Sequence, residues 1–225
     1  ALYFTRAGRD AEGTLTPAQT DRPGRAAAAP RVLAFDKLDE WSKILAEIDH
    51  AAQVQGVPAG ASTAEYGGTQ FEVNLSHGDD PVLACDQALM LRRIVKGVAA
   101  KHGLDATFMS KPFGEQSGSG LHVHASLIDA QGQNIFDDSR TDGDLRMGQA
   151  IAGLQATAYE AMALFAPNLN AFRRFEPDQF VPVNNAWGYN NRSVAFRIPA
   201  AQGQARRIEH RIAGAEANPY LVMAA

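Results

Sequence analysis

Ser117-Gly118-Ser119-Gly120-Leu121-His122-Val123-His124-Ala125-Ser126-Leu127 joins a glycine-rich loop to a run in which apolar and polar residues alternate. Strand parity places His122, His124 and Ser126 on one face and Leu121, Val123, Ala125 and Leu127 on the other. Two imidazoles two residues apart, beside a flexible glycine loop, can hold a metal and a phosphate together. The same pattern equally describes two surface histidines on an edge strand. Because a strand rather than a helix follows the glycines, the loop is not a dinucleotide fingerprint, and the chain has no P-loop.

Working outward, Phe71-Glu72-Val73-Asn74-Leu75 alternates as a half-buried strand does. Residues 83–102 predict an amphipathic helix with Leu83, Met90, Leu91, Ile94, Val95 and Val98 on one side, capped by Gly103. A second helix is predicted over 145–165, ended by Pro167, and alternating runs follow at 194–198 and 207–212. Upstream, Leu38, Trp41, Ile44, Leu45 and Ile48 recur at helical spacing before Gly56 and Pro58 stop the pattern. Residues 6–30, rich in Gly, Pro and Ala, read as a surface loop, and Ala1-Leu2-Tyr3-Phe4-Thr5 as the tail of a strand. The closing Leu221-Val222-Met223-Ala224-Ala225 reads as a helix cut short, so both ends are expected to be truncated. Strands separated by long helices and irregular loops predict an α+β fold.

The composition bounds the function. The 225 residues suffice for one sizeable domain, or at most two small ones. A net charge of −4 provides no broad basic footprint for nucleic acid or an anionic membrane, and no apolar run approaches the ~20 residues that span a bilayer. The single cysteine, Cys85, excludes an internal disulfide framework, and no signal peptide opens the chain; both point to the cytoplasm.

Two further constellations can carry chemistry. Glu65 and Glu72 bracket Tyr66-Gly67-Gly68-Thr69-Gln70-Phe71. Seven apart, they face opposite sides of a regular strand unless Gly67-Gly68 supplies a bulge or bend. Converging carboxylates suit Mg²⁺ or Mn²⁺, whereas a half-exposed strand places a glutamate on its solvent face with no metal at all. Near the C-terminus, Arg207, Glu209 and Arg211 share one face while Ile208, His210 and Ile212 take the other, with Arg192 and Arg197 just upstream. Several guanidinium groups suit phosphoryl transfer, and a solvated charged face is the plainer reading. Lys111 reads as structural, and Asp137-Asp138 and Asp142/Asp144 as acidic loop residues.

In this order the motifs resemble the catalytic domain of the glutamine synthetase superfamily. Three blocks carry the likeness, which runs over residues 65–225: Glu65-x6-Glu72; Lys111-Pro112 leading into Gly118-Ser119-Gly120-Leu121-His122-Val123-His124; and Asn191-Arg192-Ser193 through Arg197-Ile198-Pro199 to Arg207-Ile208-Glu209-x-Arg211 and Asn218-Pro219-Tyr220-Leu221. The resemblance implies a curved, mainly antiparallel sheet flanked by helices, with active sites between subunits of a homo-oligomeric ring. It implies that Glu65 and Glu72 hold the metal nearest the glutamate carboxylate, and that His122 and Glu209 hold a second one beside the ATP phosphates. His124, Ser126, Arg197 and Arg207 are then nucleotide contacts. Gly118, Arg174 and Arg211 hold glutamate, and Arg192 stabilises the transferring phosphoryl group. The implied substrates are ATP with Mg²⁺ or Mn²⁺, glutamate and a small amine, joined through γ-glutamyl phosphate, with neither nucleic acid nor membrane as partner.

Two departures refine the expectation. Ammonia-using members carry a glutamate between the positions of Arg174 and Pro182; this chain has Phe180 there, and Ser117 replaces an asparagine before the glycine loop. A phenylalanine cannot hold ammonium by charge but can pack against the methylenes of an alkylamine. The C-terminal run, with Phe71-Glu72-Val73-Asn74-Leu75 and Ala106-Thr107-Phe108-Met109, is most similar to the γ-glutamylpolyamine synthetase branch. That implies transfer to putrescine or a related amine in polyamine breakdown. The family also has an N-terminal domain and a Glu-x-Glu strand ahead of where Ala1 begins, and helices beyond Ala225. This implies a partial catalytic domain over 1–225 that is inactive alone. The rival readings are an ammonia-using glutamine synthetase, a non-catalytic structural or regulatory relative, and, last, a two-metal hydrolase, which leaves the arginine row unexplained.

Overall fold

The computed structural model describes residues 1–19 and 32–225, which form two compact units, Ala1–Ser119 and Gly120–Ala225. Among the described residues each unit holds one four-stranded sheet with helices, an α+β architecture in which one strand pair is parallel and the others are antiparallel.

In the first unit β1 (Leu2–Arg6) pairs with β3 (Gln70–Leu75) on one side and β4 (Leu104–Thr107) on the other, and β2 (Ala59–Ala64) forms the edge beyond β3. The helices are α1 (Phe35–Glu40), α2 (Ser42–Val54) and α3 (Pro81–Lys101). Five aromatic rings pack around the sheet. Phe4 stacks on Trp41 at 5.0 Å, Phe71 tilts against both, and Tyr3 on the opposite face of β1 meets the Phe113 edge at 5.3 Å. Ile44 and Ile48 of α2 and Val95 and Val98 of α3 close this core. Leu83 and Met90, expected on the buried side of α3, are exposed; Cys85 and Ala99 lie inside with Leu91, Ile94, Val95 and Val98. The helix is started by Asp80, whose carboxylate accepts from the Val82 and Leu83 amides, and stopped at Gly103, where φ is +68°. Of the loop expected over 6–30, residues 20–30 lie outside the described residues; residues 7–19 have no strand or helix beyond an isolated bridge between Thr5 and Pro17.

The second unit orders its strands β5-β8-β7-β6, with β5 (Val123–Ala125), β6 (Trp187–Tyr189), β7 (Phe196–Ile198) and β8 (Ile208–His210). The strand expected from residue 121 is thus only three residues long and stands at the edge of its sheet. Its helices are α4 (Gly143–Thr157), α5 (Met162–Phe165), α6 (Leu169–Phe172) and α7 (Pro219–Ala224). The single helix expected over 145–165 is two, separated by a turn in which Met162 N–H bonds the Tyr159 carbonyl. Phe196, Ile198, Ile208 and Ile212 pack with Met147, Ile151 and Phe165 on one side of the sheet, leaving the other side to polar residues. Asp137 and Asp144 were read from sequence as acidic loop residues; Asp137 accepts from Ser139, and Asp144, exposed in the first turn of α4, accepts from buried Arg206 at 2.5 Å.

Candidate active site

In the second unit, register assembles a polar face. Glu209 on β8 is paired with His124 on β5 and with Arg197 on β7, so one row reads His124–Glu209–Arg197 across three strands. Glu209, 3% exposed, accepts from Arg197 Nη1 at 2.6 Å and from Arg211 Nη1, while its Oε1 lies 3.3 Å from His122 Nδ1. Arg207 Nε donates to His124 Nδ1 at 3.1 Å. The parity expected for 207, 209 and 211 therefore holds, and the face is a bonded network rather than a row of solvated charges. Ser126 falls one residue beyond β5 and is exposed, as is Arg192.

The electrostatics follow from this packing. Burial, then the charges of Arg211 and Arg174, hold the His122 imidazole well below its ordinary pKa and therefore neutral at pH 7. Burial works to raise the Glu209 pKa, but Arg211 and Arg197 outweigh it and keep the carboxylate ionised. A neutral imidazole and an ionised carboxylate on one side suit a divalent ion, so this pair fits the metal the resemblance implies. Among the described residues, no three His, Cys, Asp or Glu side chains form a complete metal cluster.

Positive charge exceeds negative within the network. Arg197 and Arg211 share Glu209, and among the described residues the buried Nε of each has no hydrogen-bond partner. Arg174, 2% exposed, donates to the carbonyls of Ile212 (2.7 Å) and Arg211 (2.8 Å), placing a third guanidinium behind the face. Burial and the Arg211 charge work against its protonated form, yet a guanidinium stays charged. Arg211 also donates to the carbonyl of Phe180, whose side chain is exposed and whose φ of +53° is rare for a residue with a Cβ.

The first unit carries the other expected ligands. Glu65 follows β2 and Glu72 lies within β3, so Gly67-Gly68 belongs to the turn of a hairpin rather than to a bulge in one strand. Pairing of Thr63 with Glu72 and of Ala64 with Phe71, continued by Glu65 N–H to the Gln70 carbonyl at 3.0 Å, puts both carboxylates on one face. Gly67 is obligatory there, because a Cβ would stand 2.1 Å from the Tyr3 hydroxyl oxygen. Burial, and next the Glu65 charge, push the Tyr3 hydroxyl above its ordinary range. Gly118 accepts a hydrogen bond from Gln70 through its carbonyl.

Two residues that hold this turn were not singled out from sequence. Lys37, fully buried, donates to the carbonyls of Glu65 (2.7 Å), Gly67 (2.6 Å) and Gln70 (2.8 Å) and lies over the Phe71 ring. Gln70 was read only as part of the segment between the glutamates. A lysine in a short helix gives no sequence signal of burial. A glutamine directly ahead of an alternating strand gives a weak one.

Comparison with known proteins identifies the family. The family description "Glutamine synthetase, catalytic domain" matches residues 3–225. Gamma-glutamylputrescine synthetase PuuA of Escherichia coli (strain K12) is 43% identical over 224 residues, all of this chain and 48% of that protein. Glutamate–isopropylamine ligase of a Pseudomonas species is 40% identical over 186 residues, 82% of this chain and 40% of that protein. The solved GmaS/ADP complex superposes with a TM-score of 0.80 at 27% identity, covering 99% of this chain and 50% of that one. The chain spans about half the length of the curated relatives it matches. No helix among the described residues is long and apolar enough to cross a membrane. With a family match over nearly its whole length, the chain belongs to the glutamine synthetase family, within the catalytic domain.

Proposed function

We propose that this chain is part of an ATP-dependent ligase that joins an alkylamine, putrescine or one like it, to the side-chain carboxylate of glutamate. The observation that carries the reading is the polar face of the second unit, where Glu209 is outnumbered by Arg197, Arg211 and the Arg174 behind it, and two buried Nε–H donors find no partner among the described residues. Such a surplus suits an anion whose charge spreads over several oxygens. A relative that acts on putrescine and another that acts on isopropylamine supply the class of acceptor.

In this reading a carboxylate oxygen of glutamate attacks the γ-phosphorus of ATP, the new O–P bond forms, and ADP leaves. The amine nitrogen then attacks the acyl carbon, phosphate leaves, and the nitrogen loses a proton. Arg192, Arg197 and Arg207 face the phosphates, with His124 and Ser126 as nucleotide contacts; Gly118 and Arg211 orient glutamate. Arg174 acts from behind by holding the Arg211 backbone. Glu65 and Glu72 would hold one Mg²⁺ or Mn²⁺ and His122 and Glu209 a second; when bound, these ions supply charge neutralisation at the reacting oxygens. Phe180 offers its exposed ring to the amine methylenes. The assembly proposed is a homo-oligomeric ring.

Phosphate release by the full-length polypeptide, with ATP, Mg²⁺ and glutamate, tests the reading. Stimulation by putrescine or another alkylamine and not by ammonium is expected. Stimulation by ammonium alone would make it a glutamine synthetase, and silence with every amine would favour a non-catalytic role.

A further inference from the structure

One buried side chain outside the assigned set ties the turn that follows Glu65 to Gly118. Gln70 is 2% exposed. Its Oε1 accepts from the Gly67 amide at 3.0 Å, inside the turn that begins at Glu65. Its Nε2 donates to the Gly118 carbonyl at 2.9 Å and lies 3.3 Å from the Ser119 hydroxyl, itself fully buried. An amide N–H can only donate and a carbonyl can only accept, so these two partners fix the orientation of the Gln70 side chain. The main chain of Gln70 closes the same turn: its N–H bonds the Gly67 carbonyl, and its own carbonyl takes the Glu65 amide and the Lys37 ammonium.

Resting on the ligase reading, we propose that Gln70 is a positioning residue for the reaction. It fixes the spacing between the Glu65 turn and the Gly118 loop, and thereby sets bound glutamate against the carboxylates of the first unit. A side chain of this length must accept at one end and donate at the other. A carboxylate can do only the first, and a thioether neither.

Two near-isosteric substitutions in the full-length polypeptide separate these ends. Gln70→Glu, assayed at a pH at which the new carboxyl is ionised, keeps the acceptor for Gly67 and loses the donor to Gly118. It should speed hydrogen exchange in residues 117–120 but not in 65–70, and raise the glutamate KM by about tenfold while the Mn²⁺ activation constant holds. Gln70→Met loses both ends, so both segments should exchange faster and both constants should rise. The proposal is overturned if the two variants lose thermal stability and kcat alike, with unchanged KM and wild-type exchange in 117–120. Failure of the ligase reading would appear separately, as no glutamate-dependent phosphate release by the unsubstituted enzyme; the exchange patterns then still uphold or overturn the coupling.

Discussion

Arg211 holds the main chain of Phe180: its Nη2 donates to the Phe180 carbonyl at 3.1 Å, at a residue whose φ is +53°. A left-handed conformation costs a residue with a Cβ about 1–2 kcal/mol, which glycine does not incur. Phe180→Gly should therefore leave the melting temperature unchanged or raise it, while raising the KM for an alkylamine by about tenfold through loss of apolar contact. Steady-state kinetics beside a thermal melt checks both halves. A fall in stability would show that the ring, exposed as it is, packs for structure.

The turn between β2 and β3 makes a sharper structural prediction. Gly67→Ala should destabilise the fold by about 2–4 kcal/mol, read as a lower denaturant midpoint, because the new methyl overlaps Tyr3. Tyr3→Phe should not rescue it: removing the hydroxyl leaves ring carbons 2.4 and 2.5 Å from the added Cβ.

Glu209 is where charge balance and proposed chemistry meet. Glu209→Gln leaves Arg197 and Arg211 without their shared carboxylate in a nearly dry site. The loss should be about 3 kcal/mol of stability, as for a broken buried pair, and turnover should fall by at least about a hundredfold. Glu72→Gln, at a half-buried position, should lower turnover with far less effect on the melt. Equal melts for the two variants would refute the distinction.

The acid limb of stability should depend on Asp137. The Ser139 hydroxyl, and then the Ser139 amide, hold its carboxyl below the ordinary range. A depressed folded-state pKa means the unfolded chain binds more protons, so this contribution is present above the ordinary carboxylate pKa of about 3.8–3.9 and is lost as pH falls through the folded value. Ser139→Ala should move the Asp137 titration upward by NMR and shift acid unfolding of the protein to higher pH.

How far the sequence could be read depends on what each residue had to say locally. Phe71 to Leu75 and the stripe Leu91, Ile94, Val95 and Val98 carry their period on their face, and the structure has both elements. Ala59-Gly60-Ala61-Ser62-Thr63-Ala64 forms a strand with almost no β-branched or aromatic residue, so β2 was invisible until β3 paired with it. That omission also hid the hairpin, and with it the reason Glu65 and Glu72 share a face. Alternation from Leu121 to Leu127 overstated β5, because Leu127 and Ile128 run on exposed past the end of the pairing. The row His124–Glu209–Arg197 lay partly in view: parity grouped Glu209 with its arginines, but only strand order could add the histidine. Lys37 and Gln70 act through main-chain carbonyls and amides, which no side-chain motif encodes.

Lys37 places an ammonium where a peptide group would ordinarily sit, its protons spent on three carbonyls of a single turn. Its nitrogen is thereby shielded from electrophiles that reach exposed lysines. Acylation at Lys37 has to wait for the turn to come apart, so the rate at which this one amine is modified is a chemical clock for the opening of the hairpin that carries Glu65 and Glu72.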